Sequence, residues 1–237
     1  MPDLGALFDP KGIIITGVSN HPGKFGFVTL HNLLASGYGG AVYPVSREPG
    51  EVLGHNVLGS IDDVPDGTAD MLFICTPPAI NEGLLRQAAA KGVTAAFCAA
   101  GGYREAGPEG VEMEQRLVAL CDELGIALAG PNGQGVVSTP SSMCAQIVAP
   151  FAPAGTIAIA SQSGNFVSSF LNQANHTGVG VSRAVAAGNA SVLGIADYVE
   201  YFTDDLETAV SLVYIESVDD GREMFERMAP LAARAQQ

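Results

Sequence analysis

Several turns in this chain carry residues that could hold an anion, and they recur where an apolar run gives way to a helical pattern. The first is G-V-S-N-H-P-G-K-F-G, Gly17 to Gly26. A strand followed by such a turn and a helix directs free backbone N–H groups and the positive helix end at one point, which suits a phosphate. It is not a strict G-x-G-x-x-G, because Ser19 stands where the second glycine would be and Pro22 stiffens the loop. A turn that merely links strand to helix is the alternative. The next apolar run ends A-V-Y-P-V-S-R, with Ser46 and Arg47 where NAD-dependent proteins place an acidic residue for the ribose hydroxyls. With Lys24 as a second charge, this pair suits a phosphorylated ribose, which both NADP and coenzyme A possess, the alternative being that either basic side chain simply faces solvent.

Further along, C-T-P-P-A (Cys75 to Ala79) fixes an extended exit through Pro77 and Pro78 and withholds two backbone donors. C-A-A-G-G-Y follows the fourth run, and the small residues from Cys98 to Gly101 allow either a ligand or a packed helix to approach the backbone. Two more turns complete the set, G-P-N-G-Q-G at Gly130 to Gly135 and A-S-Q-S-G-N at Ala160 to Asn165. The second offers Ser161, Ser163 and the amide of Gly164 at a helix start, which suits a phosphate or plain helix capping. Ser163 lacks a G-x-S-x-G elbow and a neighbouring base, which argues against a nucleophilic serine.

The elements that must position these turns alternate between strand and helix, the pattern of a parallel sheet covered by helices. Ile13–Val18, Ala41–Val45, Met71–Cys75, Thr94–Ala99 and Ile126–Ala129 read as strands buried on both faces. Phe25–Ser36, Ala79–Lys91 and Glu109–Glu123 carry helical spacing, closed by Gly37, Gly92 and Gly125. The chain changes character over Ser138–Pro153, so the reading is an α/β protein divided into residues 1–150 and 151–237. The second part has three expected strands, Thr156–Ala160, Val181–Ala186 and Ala209–Ile215, and three helices, Asn165–Asn175, Val192–Phe202 and Asp219–Ala235, few for a parallel domain.

Composition narrows the ligand. A net charge of −14 argues against nucleic acid held on a broad basic surface. No run approaches the ~20 apolar residues that span a bilayer, and the start lacks a signal sequence, so a cytoplasmic protein is expected. Cys75, Cys98, Cys121 and Cys144 recur at the interval of a strand–helix unit, without the close pairs of a zinc site, and read as buried thiols rather than metal ligands.

Taken in order, G-V-S-N-H-P-G-K, V-Y-P-V, the proline-rich third strand end, A-G-G-Y-R-E-A-G, G-P-N-x-x-G, S-Q-S-G and Y-I-E resemble landmarks of the nucleotide-forming (ADP-forming) acyl-CoA synthetases, including the succinyl-CoA synthetase α subunit. The resemblance implies a Rossmann-like CoA-binding domain followed by a partial flavodoxin-like domain. It also implies that Gly17, Ser19, Asn20, Pro22, Lys24, Ser46, Arg47, Pro77, Cys98, Ala99, Ala100 and Gly101 contact coenzyme A. Ser161, Ser163 and Gly164 would cradle a phosphoryl group, and Glu216 of Y-I-E would orient a phospho-accepting histidine.

That histidine falls in a later loop of the family, past the last residue here; His176 precedes Y-I-E and reads as a surface or capping residue. Gly133 stands where the family commonly has cysteine, and Ala99 and Ala100 replace more polar residues of the succinate enzyme. The implied partners are coenzyme A, a small carboxylic acid and an ATP-grasp domain or β subunit that would bring ATP or ADP with Mg. Self-association stays open. An NADP-dependent oxidoreductase and a non-catalytic CoA-sensing module are the competing readings.

Overall fold

A computed structural model of the chain describes residues 4–148, 151–218 and 220–234. The elements in chain order are α1 (Gly5–Phe8), β1 (Gly12–Thr16), α2 (Phe25–Ala35), β2 (Ala41–Val45), β3 (Gly50–Val52), β4 (His55–Val57), β5 (Met71–Ile74), α3 (Pro78–Ala90), β6 (Ala95–Cys98), α4 (Pro108–Leu124) and β7 (Ala127–Ala129). Then follow β8 (Gly135–Ser138), β9 (Met143–Gln146), β10 (Ala154–Ser161), α5 (Gly164–Thr177), β11 (Val181–Ala186), α6 (Ile195–Asp204), β12 (Val210–Tyr214) and α7 (Gly221–Arg234).

The first sheet has the order β2-β1-β5-β6-β7, and every pairing in it is parallel. Ile13, Ile14 and Ile15 are all fully buried, as are Met71 to Ile74 and Ala95 to Cys98, because helices cover both faces. All five expected strands and three expected helices of this part are present, with ends shifted by a residue or two. Because the strands run the same way, the turns that follow them gather on one edge of the sheet. Two features were not anticipated. The single turn α1 buries Leu7 and Phe8, with Phe8 stacked at 5.0 Å on Tyr201 of α6. The hairpin of β3 and β4 turns through Leu53 and Gly54, both at positive φ.

The second sheet, order β12-β10-β11-β8-β9, has five strands where three were expected. β10, β11 and β12 run parallel, whereas β8 pairs antiparallel with β11 and with β9. The T-P-S-S segment is therefore the turn of a buried hairpin that precedes residue 151 and serves the later sheet. Residues 149 and 150 of the expected junction, and Asp219 and Ala235 that were expected to bound the last helix, lie outside the described residues.

The two sheets are locked together. The Asn32 Nδ2 of α2 donates to the Gln146 carbonyl of β9 at 2.8 Å. Arg183 of β11, only 3% exposed, donates to Asp9 at 2.7 Å, to the Ser138 hydroxyl, and to Asp205 at 3.2 and 3.4 Å. One guanidinium thus ties together the segment before β1, the β8 hairpin and the loop after α6. Among the described residues no helix is long and apolar enough to cross a membrane.

Candidate functional site

Two clefts lie along the edge where the parallel strands end. The first, about 690 Å³, is lined by Gly17, Ser19, Lys24, Ser46, Arg47 and Pro77 among others. Gly17 sits at φ +72°, and a Cβ there would approach the Cys75 carbonyl oxygen to 2.9 Å, so the turn requires glycine. No side chain caps α2, which leaves its first amides open to a ligand. Among the described residues Lys24 and Arg47 form no ion pair, although Glu48 also lines the cleft. Asn20 and Pro22 belong to the same loop but do not line the cleft; the loop is shaped by the Gly23 N–H donating to His21 Nδ1 at 3.1 Å.

Beneath this edge runs a chain of polar contacts. The Cys75 N–H donates to the Thr16 hydroxyl at 3.3 Å, Thr76 donates to Asn81 Oδ1 at 2.7 Å, and Asn81 Nδ2 donates to the Tyr103 hydroxyl at 2.9 Å. It connects the ends of β1, β5 and β6 and fixes the small-residue loop that follows β6. Within that loop Ala99 and Gly101 face the second cleft. Cys98 and Ala100 do not; Cys98 is fully buried, and burial pushes its thiol up to about 12.

The second cleft, about 490 Å³, opens between the two sheets and is lined by Ala99, Gly101, Ser163, Gly164 and Glu216, with five carboxamides: Asn132, Gln134, Gln162, Asn165 and Asn189. Among the described residues Glu216 is the only charged side chain lining it. Ser163 caps α5 by accepting from the Phe166 N–H at 3.4 Å. Ser161 is fully buried and does not reach the cleft; its hydroxyl donates to the Ser163 carbonyl at 2.9 Å and accepts from the Ser163 N–H at 3.0 Å, folding the turn. Gln162 reaches across to β12. Its Oε1 accepts the N–H groups of Glu216 and Ser217 at 2.6 and 2.9 Å, and its Nε2 donates to the Ser217 carbonyl at 3.1 Å.

On the other wall Asn189 Nδ2 donates to Glu105 at 2.7 Å and to Glu114 at 2.8 Å, while Arg104 donates to the Asn189 carbonyl. Burial works against the Glu105 charge, but Asn189 and the N–H groups of Gly102 and Tyr103 outweigh it and hold the carboxyl below its usual range. The carboxamides were not singled out as site residues. Asn132, Gln134 and Asn165 lie in turns the sequence marks, whereas Asn189 follows β11 in G-N-A, a short glycine turn after a parallel strand. His176 lies exposed in the last turn of α5, away from both clefts.

A CoA-binding domain model matches residues 11–139, more than half of the chain. The chain belongs to this CoA-binding family. A succinyl-CoA ligase-like flavodoxin domain matches residues 154–237, so the tandem is that of the nucleotide-forming acyl-CoA synthetases. The α subunit of an ADP-forming acetate–CoA ligase from Pyrococcus furiosus is 35% identical over 227 residues, covering 94% of this chain and 49% of that relative. An ADP-forming acetate–CoA ligase from Archaeoglobus fulgidus is also 35% identical, covering 96% of this chain and 33% of the relative. In structure, the dinucleotide-forming acetyl-coenzyme A synthetase 1 of Ca. Korarchaeum cryptofilum, in complex with phosphate and ADP, superposes with a TM-score of 0.92 at 30% identity, over 99% of this chain and 50% of that one. This chain therefore spans half or less of the length of these CoA ligases, and it matches their CoA-binding region.

Proposed function

We propose that this chain is the CoA-binding portion of an NDP-forming acyl-CoA synthetase. The observation that carries the proposal is the alignment of anion-binding and small-residue turns along one sheet edge. In the order β2, β1, β5, β6, the edge presents Ser46 and Arg47, then the Gly17–Lys24 turn, then Pro77, then Ala99 and Gly101, and it ends at the second cleft. Coenzyme A laid along that edge has its 3′-phosphate near Arg47 and Lys24, its pyrophosphate over the Gly17 turn and its thiol at Ala99 and Gly101. The first cleft has both the volume and the charge for the nucleotide end.

At the second cleft, the reaction is acyl-CoA, phosphate and a nucleoside diphosphate giving a carboxylate, CoA and a nucleoside triphosphate. Phosphate displaces the thiol from the thioester to form an acyl phosphate, whose phosphoryl group passes to a histidine and then to the nucleotide. The α5 amides beyond Ser163 stabilise the phosphate. Glu216 would orient the incoming histidine, a role supported by Gln162 holding its backbone against the same turn. The histidine, the Mg-bound nucleotide and an ATP-grasp domain are supplied from outside these 237 residues, so turnover belongs to the larger assembly. The Korarchaeum synthetase is in complex with phosphate and ADP, the reactants this reading assigns to the reaction.

Calorimetry with coenzyme A and dephospho-CoA tests the reading. Coenzyme A should bind about tenfold more tightly than dephospho-CoA, and Lys24→Ala or Arg47→Ala should shrink that preference, as expected for a charge-assisted contact. Absence of heat and of a thermal shift at millimolar coenzyme A overturns it. Tighter binding of NADPH than of coenzyme A would favour the oxidoreductase reading instead.

A further inference from the structure

The geometry of the second cleft points to a phosphate ligand outside the S-Q-S-G turn: we propose that Gln134 binds the phosphoryl group directly and that Ser168 positions it. The inference rests on the reading of this cleft as a phosphate site. Gln134 stands directly over the start of α5. A Cβ built at Gly164 would lie 2.5–2.7 Å from Gln134 Cδ, Cγ and Nε2, so glycine is what lets the carboxamide close over the helix end. The backbone N–H groups of Gly164 and Asn165 have no acceptor among the described residues.

The orientation of the carboxamide is set one helical turn further on. Ser168, 8% exposed, donates its hydroxyl to Gln134 Oε1 at 2.6 Å. With the oxygen occupied there, the NH2 group faces Asn165, whose Oδ1 lies 3.5 Å away, and the cleft beyond it. An NH2 group has two hydrogens, so one remains for a ligand even when Asn165 accepts the other. The ligand would thus receive N–H groups from both the helix and the facing turn. Because a carboxamide is neutral, Gln134 adds a donor without placing a cation beside Glu216, which leaves that carboxylate free to hold a histidine.

The test is an amide NMR titration of the 237-residue chain with inorganic phosphate, run beside calorimetry with coenzyme A. Phosphate should shift the Gly164 and Asn165 amides. Gln134→Ala should weaken phosphate about tenfold. Gln134→Glu, which keeps the Ser168 bond but replaces the donor with a charge, should weaken it further. Both should keep coenzyme A binding. Ser168→Ala should weaken phosphate about threefold alone and have no added effect on top of Gln134→Ala, since it acts only through Gln134. Unchanged phosphate affinity in either Gln134 variant overturns the proposal, and additive losses overturn the role of Ser168. If the unaltered chain binds coenzyme A but phosphate leaves Gly164 unshifted, this inference falls while the CoA reading stands. A chain that takes phosphate at Gly164 but not coenzyme A separates the two in the opposite sense.

Discussion

Gly133 has no room for a side chain: a Cβ there would lie 2.4 Å from the Ala186 carbonyl oxygen and 2.5 Å from Phe97 Cζ. The first is backbone at the end of β11 and the second a buried core ring, so neither yields without disturbing a sheet. Gly133→Cys, the residue the family resemblance led one to expect, should therefore destabilise the fold by about 1–3 kcal/mol, the usual cost of overpacking, measured by denaturant unfolding. Unchanged stability would show that the turn can relax. At this scale the sequence was informative about residue type and less so about direction. Gly17, Ser46, Arg47 and Pro77 line the first cleft because a residue just past a parallel strand is constrained to the sheet edge, and Lys24 joins them at the start of α2. Within Cys98 to Gly101, by contrast, alternation along the chain sends Cys98 and Ala100 away from the second cleft, a distinction that small residues in a row do not reveal.

Among the elements, the parallel strands were legible because burial on both faces leaves continuous apolar runs. β8 and β9 were not, since four-residue strands joined through Thr139, Pro140, Ser141 and Ser142 look like a linker until their long-range pairing is known. Beside the antiparallel ladder of β8 on β11, the Arg183 cluster ties that hairpin down, with the Arg183 side chain 4% exposed and that of its partner Asp205 8% exposed. Removing one member of such a pair leaves the other charge buried, so Arg183→Met should cost about 3 kcal/mol or more by urea unfolding. Burial raises the Asp205 pKa, but the Arg183 and Thr208 bonds outweigh it and leave the carboxyl below its ordinary value. A depressed folded pKa means the stabilisation is complete above the unfolded carboxyl value, about 3.9, and is lost as pH falls through the lower folded value. Unfolding measured from neutral pH down to pH 2 should accordingly show a shallower acid limb in Asp205→Asn than in the unaltered chain.

For the whole molecule, the second cleft exists only because two sheets are held at one spacing, and that spacing depends on contacts between residues far apart in sequence. Asn189 meets Glu105 and Glu114 across 84 and 75 residues. No local pattern reveals such a pairing, which explains why the carboxamide wall was missed while the glycine and serine turns bordering the clefts were marked. Asn189→Ala would leave Glu114, 6% exposed, without that donor and free Glu105 to shift off the Gly102 and Tyr103 amides. Hydrogen exchange at those two amides should quicken, whereas the preference for coenzyme A over dephospho-CoA, set at the far end of the edge, should persist. Equal exchange in both proteins would mean that Asn189 does not couple the halves.

Gln162 gives this arrangement a mechanical character. Its side chain takes the place of a neighbouring peptide at the end of β12, with three hydrogen bonds to Glu216 and Ser217, while its own backbone lies between Ser161 and Ser163. The carboxylate and the turn at the start of α5 are thereby joined as parts of one rigid lever. If the proposed anion binds at that turn, a shift there would reach the Glu216 backbone through a single residue, without any larger movement of the two sheets.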